Sequence, residues 1–94
     1  MAVATSHAQK VKLSGQIISN SELEGIHVIN KTSYRYTTTD PNGLFSIEGK
    51  LSDSLYFSSI QYIPKTIVLT AKHIKSKSIT VSLSESINAL DEVM

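Results

Sequence analysis

Apolar residues recur at every second position in seven short runs, and no segment sustains the 3.6-residue period of a helix beyond one turn. That alternation suits strands with one face buried and the other in water. "KVKLSGQIIS" places Val11, Leu13 and Ile17 on one face, and "GIHVIN" turns Ile26 and Val28 inward with His27 between them. "YRYTTT" alternates Tyr34, Tyr36 and Thr38 with Arg35, Thr37 and Thr39, and "GLFSIEG" separates Phe45 and Ile47 from Ser46 and Glu48. "SLYFSSI" aligns Leu55, Phe57 and Ser59, while "KTIVLT" and "KSITVSL" supply Ile67, Leu69, Ile79, Val81 and Leu83. Polar turn signals fall between the runs, at Asn20-Ser21, Lys31 to Ser33, Asp40 to Gly43, Ser52-Asp53, Ile63-Pro64 and Lys72 to Lys77.

Seven strands about ten residues apart predict an all-β chain, an antiparallel sandwich rather than a parallel sheet with crossover helices. "AKHIKS" is the one stretch that suits a helical turn. Pro64 belongs at a sheet edge or a strand start, because it cannot donate to a ladder. Ninety-four residues suffice for one domain with one modest core. Residues 1–9 read as a flexible or non-native leader, 10–84 as the β-sandwich, and 85–94 as an exit segment leading to a following region. Ser6-His7-Ala8 has the small-x-small pattern of a signal-peptidase site, so export with the signal already removed is one expectation. A floppy start without that history is the other.

A net charge of +1 gives no strong field toward nucleic acid or an anionic membrane. With no cysteine there are no disulfides and no thiolate metal ligands. No apolar run approaches the roughly 20 residues of a membrane-spanning helix. "TTTDPNGLFSI" imitates half a calcium loop. In that register the first ligand falls on Thr38 and the bidentate Glu position on Gly49, with Glu48 one residue short. A turn accounts for the residues better: Asp40 accepts from backbone N–H groups two or three residues on, Pro41 presets φ, Asn42 tolerates the bridge region and Gly43 takes positive φ. The stretch is therefore expected to be a hairpin corner that sets the register of two core strands.

His7, His27 and His73 share no metal-ligand spacing, so no metal site is expected. No nucleophile elbow, phosphate-binding glycine loop or zinc-protease motif occurs, so no catalytic residue and no cofactor is assigned. Lys65, Lys72, His73, Lys75 and Lys77 make a basic patch whose favoured reading is protection of exposed strand edges. Tyr34, Tyr36, Tyr56 and Tyr62 would stack against carbohydrate if they shared one exposed face; the favoured reading is that they cap the ends of the core, hydroxyls to water. An exposed edge strand is a protein-docking site by strand addition.

"LSGQII", "EGIHVIN", "YTTTDPNGLFSIEG", "DSLYFSSIQYIPKTIVL", "ITVSL" and "LDEV", in that order, resemble the carboxypeptidase regulatory-like (carboxypeptidase D regulatory-like) domain over residues 11 to 93. The version it is most similar to is common in Bacteroidetes-type envelope proteins, often as the N-terminal extension of TonB-dependent outer-membrane receptors. The resemblance implies a transthyretin-like (prealbumin-like), seven-stranded Greek-key β-sandwich. It also implies a non-catalytic accessory to which no zinc ligands carry over. The chain departs from the family pattern at Gln61, where glycine is usual, at Ile26, where a small residue is usual, and in "SNSELE", which lacks the common Gly-x-Pro turn. These changes bear on loop geometry. In the receptors a segment like Leu90 to Val93 precedes the TonB box and plug, so a junction is expected there.

The function expected is that of a non-enzymatic accessory domain of a larger cell-envelope protein, docking or spacing in the periplasm or at the outer membrane. The interaction surface is assigned to Tyr34, Tyr36, Lys65, Lys75 and Lys77, with a protein partner and a monomeric isolated domain. A carbohydrate-binding module using surface tyrosines, or a regulatory domain attached to a peptidase, are the alternatives.

Overall fold

The computed structural model describes residues 10–86. The expectations for the leader at 1–9 and for Ile87 to Met94 lie outside the described residues. Among the described residues there are seven strands: β1 (Val11–Ile18), β2 (His27–Asn30), β3 (Arg35–Thr38), β4 (Leu44–Gly49), β5 (Ser54–Ser59), β6 (Tyr62–Val68) and β7 (Ser78–Ser82). A six-residue helix, α1 (Ala71–Ser76), joins β6 to β7. One sheet has the order β4-β1-β7 and the other β3-β2-β5-β6, and the two pack as an all-β sandwich.

The core forms where the inward residues of the two sheets meet. Leu13, Ile17, Phe45, Ile47, Ile79 and Val81 come from the first sheet, and Val28, Leu55 and Phe57 from the second. Phe45 and Phe57 meet edge-on across the layers with ring centroids 5.7 Å apart. Phe45 lies directly opposite Gly15 in the β1/β4 ladder, and a Cβ at Gly15 would overlap the Phe45 ring. The missing side chain thus provides the seat for that ring. Tyr62 and Leu69 close the ends of the core. Pro64 lies on β6, the edge strand of its sheet.

Two expectations are corrected. The sandwich is not wholly antiparallel, because β1 runs parallel to β7 from Ser14↔Ser78 to Ile18↔Ser82. The cause is the crossover after β6, which returns the chain to the end of the sandwich where β1 starts; α1, in that connection, packs on β1 and β7. Thr70 and His73 form a reciprocal cap at the start of α1, and Lys77 ends it with φ 57. Secondly, the Asp40–Gly43 turn is not a hairpin. It carries the chain from β3 in one sheet to β4 in the other. Asp40 Oδ1 accepts from the N–H groups of Asn42 and Leu44, both at 2.9 Å, so the second bond comes from four residues on rather than three. Gly43 has φ 81, donates its N–H to the Asp40 carbonyl at 2.9 Å, and accepts from Ile17 N–H at 2.8 Å. The register it fixes is therefore that of β4 on β1, where Phe45 and Ile47 find Gly15 and Leu13.

A polar clasp holds the far end of the sandwich. Asn30 and Asp53 are both buried. The Asn30 side-chain amide donates to Asp53 Oδ2 at 2.8 Å and to the Glu48 carbonyl at 3.1 Å, while Asn30 Oδ1 accepts from the N–H groups of Thr32 and Ser33. Lys50 reaches Asp53 with its N–H and its ammonium, each at 3.1 Å. Burial alone would raise the Asp53 pKa. Hydrogen bonds from the Asn30 amide and from Lys50, with the charge of Lys50 added, outweigh burial and hold it below the ordinary 3.8.

Replacing Gly43 by Val puts a β-branched residue at positive φ, with its Cβ 2.9 Å from the Ile17 carbonyl. Roughly 1–3 kcal/mol of stability is expected to go. A thermal midpoint equal to that of the unchanged protein would refute the turn's role in setting β4. Asp53→Ala is expected to lose about 2–3 kcal/mol, since it strands the buried Asn30 amide. Because the folded pKa of Asp53 is depressed, its contribution is complete above 3.8 and is lost as pH falls through the lower folded value. Urea unfolding from about pH 5 to about pH 2 should show a steeper loss for the unchanged protein than for Asp53→Ala; parallel curves would show that the carboxylate is not stabilised by the clasp.

Candidate functional site

Pairing register decides which of the candidate side chains meet. Ile29 on β2 has Tyr36 of β3 as its partner on one side and Tyr56 of β5 on the other. Direct partners share a face, so the three lie in a row on the outer face of the four-stranded sheet. In the next row, His27 Nδ1 lies 2.8 Å from the Tyr36 hydroxyl, with the two rings tilted by 30°. The Lys31 ammonium stands 5.1 Å above the Tyr56 ring, a cation–π distance. Tyr34 does not join this row. It sits in the turn before β3 with φ 65, donates its N–H to the Asn30 carbonyl, and is 85% exposed. Tyr62 is buried, and its hydroxyl donates to the Glu22 carbonyl at 2.8 Å rather than to water.

The lysines lie elsewhere. Lys65 is on β6, at the opposite edge of that sheet from Tyr36, about 14 Å away at ordinary strand spacing. Its ammonium donates to the Ser82 carbonyl at 2.9 Å, bridging to the other sheet. Lys75 lies on α1 and Lys77 ends it. Tyr34 and Tyr36 therefore belong to the β3 side of the sandwich, and Lys65, Lys75 and Lys77 to the side formed by β6, α1 and β7.

At the end where β5 turns into β6, Ile60 stands almost fully in solvent. Beside it a shallow cleft of about 480 Å³ is lined by Glu22, Glu24, His27, Ser58 and Gln61. After β7 the chain crosses to the other sheet: Ile63 N–H donates to the Ser84 carbonyl and Ser86 N–H to the Gln61 carbonyl, around a bridge between Tyr62 and Glu85. Among the described residues no three His, Cys, Asp or Glu side chains converge as a metal would need, and no helix is long and apolar enough to cross a membrane. Asp40, Pro41, Asn42 and Gly43 are committed to the turn, with Asp40 Oδ1 occupied by backbone donors. Glu48, exposed on β4, has Arg35 3.5 Å away.

Two features escape a reading of single segments. The His27–Tyr36 contact depends on the β2/β3 register, which local alternation leaves open. The Asn30–Asp53 contact joins two polar residues beside turns, where solvent exposure is the ordinary expectation.

The geometry thus offers an aromatic row on one sheet face and a lysine-edged side opposite it. Comparison with known proteins sets these in a family. The profile of the CarboxypepD_reg-like domain matches residues 13–94. A TonB-dependent receptor P26 of Formosa agariphila is 37% identical over 89 residues, which is 94% of this chain. The same alignment spans 8% of that receptor. On this match, which takes in every strand but the first two residues of β1, the chain belongs to the carboxypeptidase regulatory-like domain family.

Proposed function

We propose that the chain serves as a non-catalytic accessory domain of a larger cell-envelope protein, placed in the periplasm or against the outer membrane. Its work there is docking or spacing, as the N-terminal extension of a TonB-dependent receptor. The observation that carries this reading is the disproportion in coverage: nearly the whole chain aligns with 8% of a receptor. A unit of that size with its own core behaves as a module attached to other machinery. The strand order β3-β2-β5-β6 over β4-β1-β7 supports a Greek-key, transthyretin-like assignment, and its exposed edge strands are surfaces to which a partner strand could add.

Carbohydrate binding is the second reading, and one observation favours it: Tyr36 and Tyr56 flank Ile29 on a single outer face. Against it, the Lys31 ammonium already covers the Tyr56 ring.

Cross-linking of the purified chain in periplasmic and outer-membrane fractions tests docking. A defined adduct that excess unlabelled chain competes away is expected. If no adduct is competed, docking fails. Glycan titration followed by tyrosine fluorescence should stay flat, and a saturable change would promote the carbohydrate reading instead.

A further inference from the structure

Between residues 54 and 84 the chain carries four lysines (Lys65, Lys72, Lys75 and Lys77) and no carboxylate. This stretch builds β5, β6, α1 and β7, so the lysines gather on the side formed by β6, α1 and β7, where Glu85, bridged to Tyr62 at the start of β6, is the carboxylate that follows them. On that side β7 is the outermost strand of its sheet. Ser14 N–H donates to the Lys77 carbonyl, and Leu83 N–H donates to the Ile18 carbonyl. In a parallel ladder of that phase, residues 77, 79, 81 and 83 serve β1. The residues between them, Ser78, Thr80 and Ser82, direct their N–H and C=O groups to the open side. The Ser82 carbonyl accepts from Lys65, and the Ser78 carbonyl accepts from the Ser76 hydroxyl at 3.4 Å. Thr80 has no partner on that side among the described residues.

The strand facing this edge across the sandwich, held at its start by the bond from Ile63 N–H to the Ser84 carbonyl, is exposed along its middle. Ile63, Pro64, Lys65 and Thr66 of β6 are all exposed, although successive residues of a strand point to opposite faces. The inner face of β6 is thus uncovered at its middle. A cleft of about 220 Å³ runs between Ile63, Pro64 and Lys65 on one side and Ser82 and Ser84 on the other. Because β4 packs on β3 at the other side, three strands facing four leave a strand position beside β7 vacant among the described residues.

We propose that the open edge of β7 takes up an extended acidic segment of a partner protein as an added strand, completing the three-stranded sheet to four. This deepens the docking reading and rests on it. Charge selects the occupant. Lys77 stands at the start of the edge and Lys65 reaches its end, about 17 Å along the strand. Carboxylates on the incoming segment pair with both, and Lys65 exchanges a carbonyl for a charged acceptor. A second copy of this chain is disfavoured, because two such edges bring lysines against lysines. An anionic lipid surface would answer the charge but not the backbone donors and acceptors set at ladder spacing.

The test is titration of the ¹⁵N-labelled chain with two synthetic peptides about eight residues long, alternating Val with Glu or Val with Lys. The Glu peptide is expected to shift the amides of Ser78, Thr80 and Ser82 and to slow their hydrogen exchange about tenfold, with affinity falling as salt rises. The Lys peptide should move none of them. Thr80→Pro removes a donor that no ladder bond uses, and should abolish the response. Lys65→Glu, exposed and outside the core, is the second variant and should weaken it several-fold. Equal response to both peptides overturns the proposal, as does a Glu peptide that leaves the β7 amides unmoved. Shifts confined to β3 overturn this site while leaving docking intact. Self-association through β7, or binding to phosphatidylglycerol vesicles with the Glu peptide inert, overturns the proposed occupant. Absence of a competed adduct in the cross-linking experiment is the separate failure of docking itself.

Discussion

The Phe45 ring joins the two layers of this sandwich. It fills the space left by Gly15 on its own sheet and meets Phe57 of the other edge-on. Full burial of a side chain of this size is worth roughly 1.5–3 kcal/mol, and an aromatic pair adds about 0.5–1.5 kcal/mol. The geometric effect matters as much as the energy. Only a glycine opposite Phe45 lets the ring lie flat on the strand, and only one register of β4 on β1 places the two together. Shifting β4 by one residue would turn Phe45 and Ile47 to solvent and bring Ser46 inward. The turn at Asp40 to Gly43 enforces the same register from outside through the bond between Ile17 and Gly43.

The two ends of the sandwich are closed by different physics. At one end the buried Asn30 and Asp53 tie the β2–β3 and β4–β5 connections together by hydrogen bonds. A carboxylate without those bonds would be expelled to water or protonated; with them it is held charged. At the other end Tyr62 buries its ring and donates its hydroxyl to the Glu22 carbonyl, so an aromatic side chain fastens the long β1–β2 connection. With both ends fastened, the long sides remain for contacts, and there the chemistry diverges into an aromatic row and a cationic edge.

The number of strands among the described residues, and most of the residues that face inward, could be read from the sequence because alternation is a local signal that burial imposes on a strand. Tyr34, which falls in the turn before β3, and Ser59, beyond the irregularity in the β5/β6 pairing, depart from it. Val11, Leu13 and Ile17, Ile26 and Val28, and Phe45 and Ile47 all turn toward the core as their spacing requires. Partnership is not a local signal. Nothing in "KSITVSL" says that it lies parallel to "KVKLSGQIIS", and nothing in "DPNG" distinguishes a hairpin from a link between sheets. The candidate surface was hidden for the same reason. Tyr36 and Lys65 sit at opposite edges of one sheet, and Tyr62, which looks like its neighbours, is consumed by the core.

The parallel pair has a consequence for how the molecule comes into being. It joins the first and last strands of the described residues, so β1 lacks one neighbour until residues 78–82 are available. Closing a loop of that span costs more chain entropy than forming the local pairs β2–β3 or β5–β6. Topologies of high sequence separation fold slowly for this reason. The β1 edge that β7 covers therefore stays unpaired until residues 78–82 reach it, so the three-stranded sheet is completed by its most distant contact in sequence.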